Sequence, residues 1–231
     1  MLRARSRTAA GLALRHAAVW QNRLQTVKRP IPKPATGRSA VPARRRLAID
    51  REGRANVAVQ VPSPNSDARP NDTPISLIVI HGISLPPGKF EGDGIEALFT
   101  NRLDARAHPY YAGIAGLRVS SHFLIRRDGR LLQFVPCTAR AWHAGESSWR
   151  GRGRCNDFSI GIELEGSDDV PYTAAQYRML ARLTRALRAR YPIEDIAGHS
   201  DVAPGRKTDP GPAFDWARLR RELARSRPKA A

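Results

Sequence analysis

Cysteine is scarce in this 231-residue chain: there are two, Cys137 and Cys155. They form no metal-type CxxC pair, and they imply no disulfide framework. Such usage suits a reducing compartment, with both thiols acting as small buried hydrophobes. Long apolar runs are also missing. No stretch approaches the ~18 residues of a membrane span, so no transmembrane segment is expected. Acidic residues are absent from residues 1–49, although twelve Lys and Arg fall there. Of the 39 Lys and Arg, 27 therefore remain for residues 50–231, against all 21 Asp and Glu, a balance of +6 out of the total +18. The basic character is largely a property of the N-terminal arm.

Such an arm can bind nucleic acid or anionic lipid, or simply be a solvated tail without a fold, which is the reading its composition favours. It also has the Arg-rich, acid-free look of a transit peptide. A secretory signal fits poorly, because Arg15 and His16 interrupt the apolar stretch from Ala9 to Leu14. The reading divides the chain into a basic extension over 1–56, a catalytic-sized domain over 57–225 and a short tail over 226–231. No nucleic-acid partner is expected for the domain itself.

What is present points to an α/β fold: a single domain with a central mixed β-sheet flanked by helices. Val57–Val61 and the apolar run Ser76–Ile80 read as strands, and Ile95–Arg102 as a short helix. Arg118–Arg127 and Arg130–Val135 flank Asp128-Gly129, a hairpin signal for a type I′ turn. In Phe158–Glu165, residues Phe158, Ile160, Ile162 and Leu164 share one face; Ser159, Gly161, Glu163 and Glu165 share the other. Thr173–Tyr191 is the clearest helix, with Thr173 and Gln176 as a capping box and Tyr177, Leu180, Leu183 and Leu187 as its apolar stripe. Arg178, Arg182, Arg185 and Arg188 form its solvated face. A last helix starts near Asp215.

The chemistry concentrates elsewhere. Residues 198–211, Gly-His-Ser-Asp-Val-Ala-Pro-Gly-Arg-Lys-Thr-Asp-Pro-Gly, carry His199, Lys207 and Asp209 on a loop without helix or strand periodicity. His81 ends the most apolar run of the chain. Two imidazoles and a carboxylate, His81, His199 and Asp209, are a donor set for a three-ligand catalytic zinc with one open position. Glu163 is a candidate general base and Lys207 a candidate oxyanion stabiliser. Taken singly, each has a plainer reading: a structural histidine, a salt-bridge carboxylate, a surface lysine. His122 and His108 read as structural, and His143 as either a structural residue or a substrate contact.

These segments, together with Val79-Ile80-His81, Ser121-His122-Phe123-Leu124-Ile125, Ile160 to Gly166, His108-Pro109-Tyr110, Ala141 to Gly145, Arg154 to Gly161 and Lys207 to Pro212, resemble the zinc N-acetylmuramoyl-L-alanine amidases of the peptidoglycan-recognition-protein and phage-lysozyme-type fold. The resemblance covers about residues 57–225. It implies that His81, His199 and Asp209 ligate Zn2+, that Glu163 and Lys207 are the catalytic pair, and that Arg118, Trp142 and Arg154 line a groove for a muropeptide. The implied reaction is hydrolysis of the amide between the lactyl group of 1,6-anhydro-N-acetylmuramic acid and L-alanine, in cytoplasmic peptidoglycan recycling. Two alternatives stay open: the same chemistry on polymeric peptidoglycan in the periplasm, and a non-catalytic peptidoglycan-binding module. The chain departs from the family pattern at Gly82, where Asn is expected, so one substrate hydrogen bond is expected to be missing. Its basic extension has no counterpart in the family.

Overall fold

The structure, a computed structural model, describes residues 46–225. The residues read as extension over 1–45 and as tail over 226–231 lie outside the described residues. Within the described residues ten strands and five α-helices follow in order: β1 (Val59–Gln60), β2 (Ser66–Ala68), β3 (Leu77–Ile83), α1 (Gly94–Phe99), α2 (Pro109–Ala112), β4 (Phe123–Ile125), β5 (Leu131–Gln133), β6 (Ala139–Ala141), β7 (Ser148–Trp149), β8 (Arg152–Gly153), β9 (Ser159–Glu165), α3 (Ala174–Arg188), β10 (Asp195–Gly198), α4 (His199–Val202) and α5 (Trp216–Ala224). Six strands form one mixed sheet in the order β1-β5-β4-β9-β3-β10. The four strands β4, β9, β3 and β10 run parallel, and β5 is antiparallel to β4. The other strands make two-stranded ribbons, β2 with β6 and β7 with β8.

Strand alternation distributes side chains to the two sheet faces. Ile78 and Ile80 of β3 and Ile160, Ile162 and Leu164 of β9 pack against Tyr177, Leu180, Leu183 and Leu187 of α3 and Leu219 of α5. Leu77 and Val79 turn the other way, joining Cys155, Ala197 and Val202. Phe158, which lies just outside β9, goes with this second group and not with Ile160 as alternation suggests. A third cluster joins Leu124 and Leu132 to Ile95, Leu98 and Phe99 of α1 and Tyr111 of α2. Both cysteines are buried free thiols. Among the described residues no helix is long and apolar enough to cross a membrane.

The capping box at α3 forms as expected: Thr173 Oγ1 accepts from Gln176 N (3.1 Å), and Gln176 Oε1 accepts from Thr173 N (2.9 Å). Asp215 caps α5, its Oδ1 accepting from Arg218 N at 2.7 Å. Arg178, Arg185 and Arg188 are exposed and Arg182 is half-buried.

Several expectations need correction. The folded domain does not start at residue 57. Leu47, Ile49 and Ala55 are buried in the main core, and Gln133 clamps the segment, accepting from Ala55 N (2.8 Å) and donating to Gly53 O (2.8 Å). The adjoining arginine run masks the short alternation of Leu47 and Ile49. The strand expected over residues 118–127 is confined to Phe123–Ile125, because Ser120 N is already bonded to Trp142 O (3.1 Å). The hairpin turn is not type I′. Gly129 alone is left-handed, at φ +88°. Arg126 O accepts from Gly129 N (2.8 Å) and Arg126 N donates to Arg130 O (2.9 Å). This is a type I turn closed by a glycine bulge.

Candidate metal and catalytic site

Strand register builds the site. His81 on β3 is the register partner of Glu163 on β9. On the other side of β3, Gly198 of β10 pairs with Ile80, so the next residue, His199, emerges beside His81. Three parallel strands thus end at one place, the usual location of sites in α/β sheets. The expectation of a loop throughout 198–211 is wrong at its start: His199–Val202 is one helical turn, α4. The chain then loops back, and Ser200 N donates to Asp209 O at 2.9 Å, returning Asp209 to the two histidines.

The three donors form a nearly equilateral triangle. His81 Nδ1 is 3.0 Å from His199 Nδ1 and 3.2 Å from Asp209 Oδ2, and His199 Nδ1 is 3.1 Å from Asp209 Oδ2. Both imidazoles are buried. His199 Nε2 donates to Ala144 O at 3.3 Å, which leaves its Nδ1 lone pair facing the triangle. Donors about 2.0–2.1 Å from a tetrahedral zinc stand about 3.3 Å from one another. The donor types and their spacing fit such an ion, and His81, His199 and Asp209 form a group able to hold a metal.

Electrostatics separate the two carboxyls. Burial pushes Glu163 well above the usual carboxylate range, and the neighbouring Asp209 charge adds to this, while Lys207 works against it. Its Oε2 is buried without any hydrogen-bond partner. Burial also raises Asp209, but the two imidazoles beside it, His199 and His81, outweigh that and hold it below the usual range. Burial lowers His81 to about 4, so its ring is neutral at pH 7. Lys207 is exposed, yet near enough for its charge to act on both His81 and Glu163.

The five residues read as ligands and catalytic pair therefore converge. The three read as groove residues do not join them in any hydrogen bond. Arg118 is exposed and, among the described residues, donates to Gly116 O (3.4 Å). Trp142 is half-buried, with its side chain close enough to Asp67 to help hold that carboxyl below its usual range, behind the larger effect of Arg140. Arg154 is exposed, in a left-handed conformation (φ +59°), and pairs with Asp157 Oδ2 at 3.0 Å.

Two features of the site were not legible in the sequence. Tyr172 is buried, and its hydroxyl donates to Pro210 O at 3.0 Å, bracing the peptide next to Asp209. A Cβ at Gly82 would collide with that hydroxyl. The space for a larger residue at 82 is thus occupied by Tyr172. His143 is the second: it is buried behind His81, with its Nδ1 3.0 Å from His81 Nε2. His122 is buried as expected of a core residue, accepting from Gly161 N at 3.0 Å, and His108 caps α2.

The family model for N-acetylmuramoyl-L-alanine amidase matches residues 71–212. The 1,6-anhydro-N-acetylmuramyl-L-alanine amidase AmpD of Citrobacter freundii is 61% identical over 171 residues, covering 73% of this chain and 91% of the relative. The crystal structure of a selenomethionine AmpD derivative superposes with a TM-score of 0.75 at 60% identity, covering 77% of this chain and 99% of that one. AmpDh3 from Pseudomonas aeruginosa in complex with an anhydromuramic pentapeptide gives a TM-score of 0.50 at 28% identity, covering 69% and 65% of the two chains.

Proposed function

The chain belongs to the N-acetylmuramoyl-L-alanine amidase family, and from that membership we propose that it hydrolyses the amide between the lactyl group of 1,6-anhydro-N-acetylmuramic acid and the L-alanine of the stem peptide. The setting we propose is recycling of peptidoglycan fragments in the bacterial cytoplasm. One observation carries the chemistry: the His81, His199 and Asp209 triangle stands beside the unpartnered buried oxygen of Glu163. The identity to anhydromuropeptide amidases supports the substrate.

In this reading His81, His199 and Asp209 hold Zn2+. When bound, the ion supplies a Lewis acid that makes hydroxide available near neutral pH and polarises a carbonyl. Glu163 takes the proton of the attacking water and passes it to the departing alanine nitrogen. Its raised proton affinity suits both halves of that task, and its bare Oε2 leaves room for the proton donor. Lys207 brings an ammonium to the charge that develops on the carbonyl oxygen. Arg118, Trp142 and Arg154 are proposed to contact the muropeptide from the flanks. A binding-only module has no need of an unpartnered carboxylate beside an open ligand set, which favours hydrolysis.

The test is product analysis by mass spectrometry on anhydro-N-acetylmuramyl-tripeptide, with the purified protein alone, with chelator, and with zinc restored. Release of free tripeptide that stops with chelator and returns with zinc is the expected outcome. Absence of release from folded, zinc-supplied protein, with cleavage of intact sacculi instead, would replace this substrate by the polymer.

A further inference from the structure

A chain of buried polar groups stands behind His81, and its direction is set at the far end. Ser159 Oγ lies 2.6 Å from Cys155 O and 3.2 Å from His143 Nε2. A carbonyl oxygen only accepts, so the single hydroxyl proton of Ser159 goes to Cys155 O. Ser159 Oγ must then accept from His143, which puts the His143 proton on Nε2. A neutral imidazole protonated at Nε2 has a bare Nδ1, and His143 Nδ1 is 3.0 Å from His81 Nε2. His81 therefore donates from Nε2, and its Nδ1 lone pair is left for the triangle with His199 and Asp209.

We propose that His143 is a positioning residue of the metal site, which with Ser159 imposes the tautomer and ring orientation that His81 needs as a ligand. This rests on the reading of His81, His199 and Asp209 as zinc ligands. The neighbouring residue does the same for the second histidine, since Ala144 O is the acceptor for His199 Nε2. One dipeptide thus orients both imidazoles. Its own backbone is fixed by Asn156 Oδ1, which accepts from His143 N (3.2 Å) and Ala144 N (2.8 Å). The sheet makes room for the ring at Gly161, where a Cβ would stand 2.5 Å from His143 Cγ. Outer partners of metal-bound histidines commonly work in this way, fixing which nitrogen faces the ion.

The test compares His143→Asn with His143→Leu, side chains of similar size of which only Asn can accept from His81. Zinc affinity is measured by competition with a chelator of known affinity, and His143 is observed by 15N NMR in the zinc-loaded wild type. Roughly 10–100-fold weaker zinc binding is expected for His143→Leu, with most of it restored in His143→Asn and the wild-type His143 protonated at Nε2. Equal affinity of the Leu and wild-type proteins would overturn the relay while leaving the zinc site in place. So would a wild-type His143 protonated at Nδ1, a readout that survives if a variant fails to fold. Failure of the wild type to bind zinc would instead remove the underlying zinc reading.

Discussion

His81 and Glu163 are register partners on adjacent parallel strands, β3 and β9, and lie on the same face of the sheet. That pairing puts a neutral imidazole beside a buried carboxyl whose Oε2 has no partner. Neither arrangement serves stability, and in the proposed mechanism both serve a proton transfer next to a metal.

Glu163→Gln is expected to lower kcat/KM about 100–10,000-fold, the usual worth of a positioned general base. Folding should respond in the opposite direction. The raised proton affinity of Glu163 means that its charged form is disfavoured in the folded state. Its contribution is complete below the unfolded value and is lost as pH rises through the folded one. Removing it should raise the melting temperature of the metal-free protein at pH 7.5, and an unchanged or lower value would contradict the desolvation argument.

Lys207→Met is expected to cost ~100–1000-fold in turnover, as for loss of one oxyanion donor. Because the Lys207 charge lowers the proton affinity of Glu163, the acid limb of the kcat/KM profile should also move to higher pH. Lys207→Arg should keep the limb in place. A profile that does not shift in the Met variant would detach Lys207 from Glu163.

Gly82 and Tyr172 form a coupled pair. Gly82→Ala drives a methyl into the Tyr172 hydroxyl and should destabilise by about 1–3 kcal/mol, the range for overpacking. Tyr172→Phe alone loses the bond to Pro210 O, about 0.5–1.5 kcal/mol. With the hydroxyl gone, a Cβ at 82 meets Tyr172 Cζ at 3.6 Å and Pro210 Cα at 3.5 Å, ordinary contact distances. Denaturant titrations should therefore find the double variant close to Tyr172→Phe alone; simple additivity would refute the steric account.

Acid should destabilise the metal-free protein earlier than its carboxylates alone would dictate. Burial lowers His81 to about 4, and lowers His122 and His143 well below the ordinary value near 6.5. Between pH 6.5 and about 4 the unfolded chain binds protons that the folded rings refuse, so stability is present above 6.5 and is lost as pH falls. Each such histidine contributes up to about 1.4 kcal/mol per pH unit. Glu163 works against this slope, and Glu163→Gln should steepen it. Urea midpoints of chelated protein at pH 7.5, 5.5 and 4.5 measure the effect, and a flat series would count against it.

Chelation should abolish turnover without unfolding the domain. The triangle sits at strand ends, and the core formed by Ile78, Ile80, Ile160 and Ile162 includes none of its three residues. Circular dichroism at 25 °C should be unchanged by chelator, with a cooperative thermal transition retained. Loss of the folded signal would show that the metal is part of the fold.

The sequence by itself determined the period-2 strands, the capped helix α3, the donor types His81, His199 and Asp209, and the candidacy of Glu163 and Lys207. These follow from local chemistry: alternation, capping and turn residues act over a few positions. Hidden from it were the start of the fold at Leu47, obscured by neighbouring arginines, and the glycine-bulge turn at Gly129, since the same Asp-Gly pair serves two turn types. Only the tertiary structure decided that β3, β9 and β10 run parallel and in register, which brings residues 81, 163 and 199 together. It alone set His143 behind His81 against Gly161, and Tyr172 over Gly82. Those pairs lie 62, 18 and 90 residues apart, and sequence periodicity carries no information about which distant strands become neighbours or which side chain fills the space a glycine leaves.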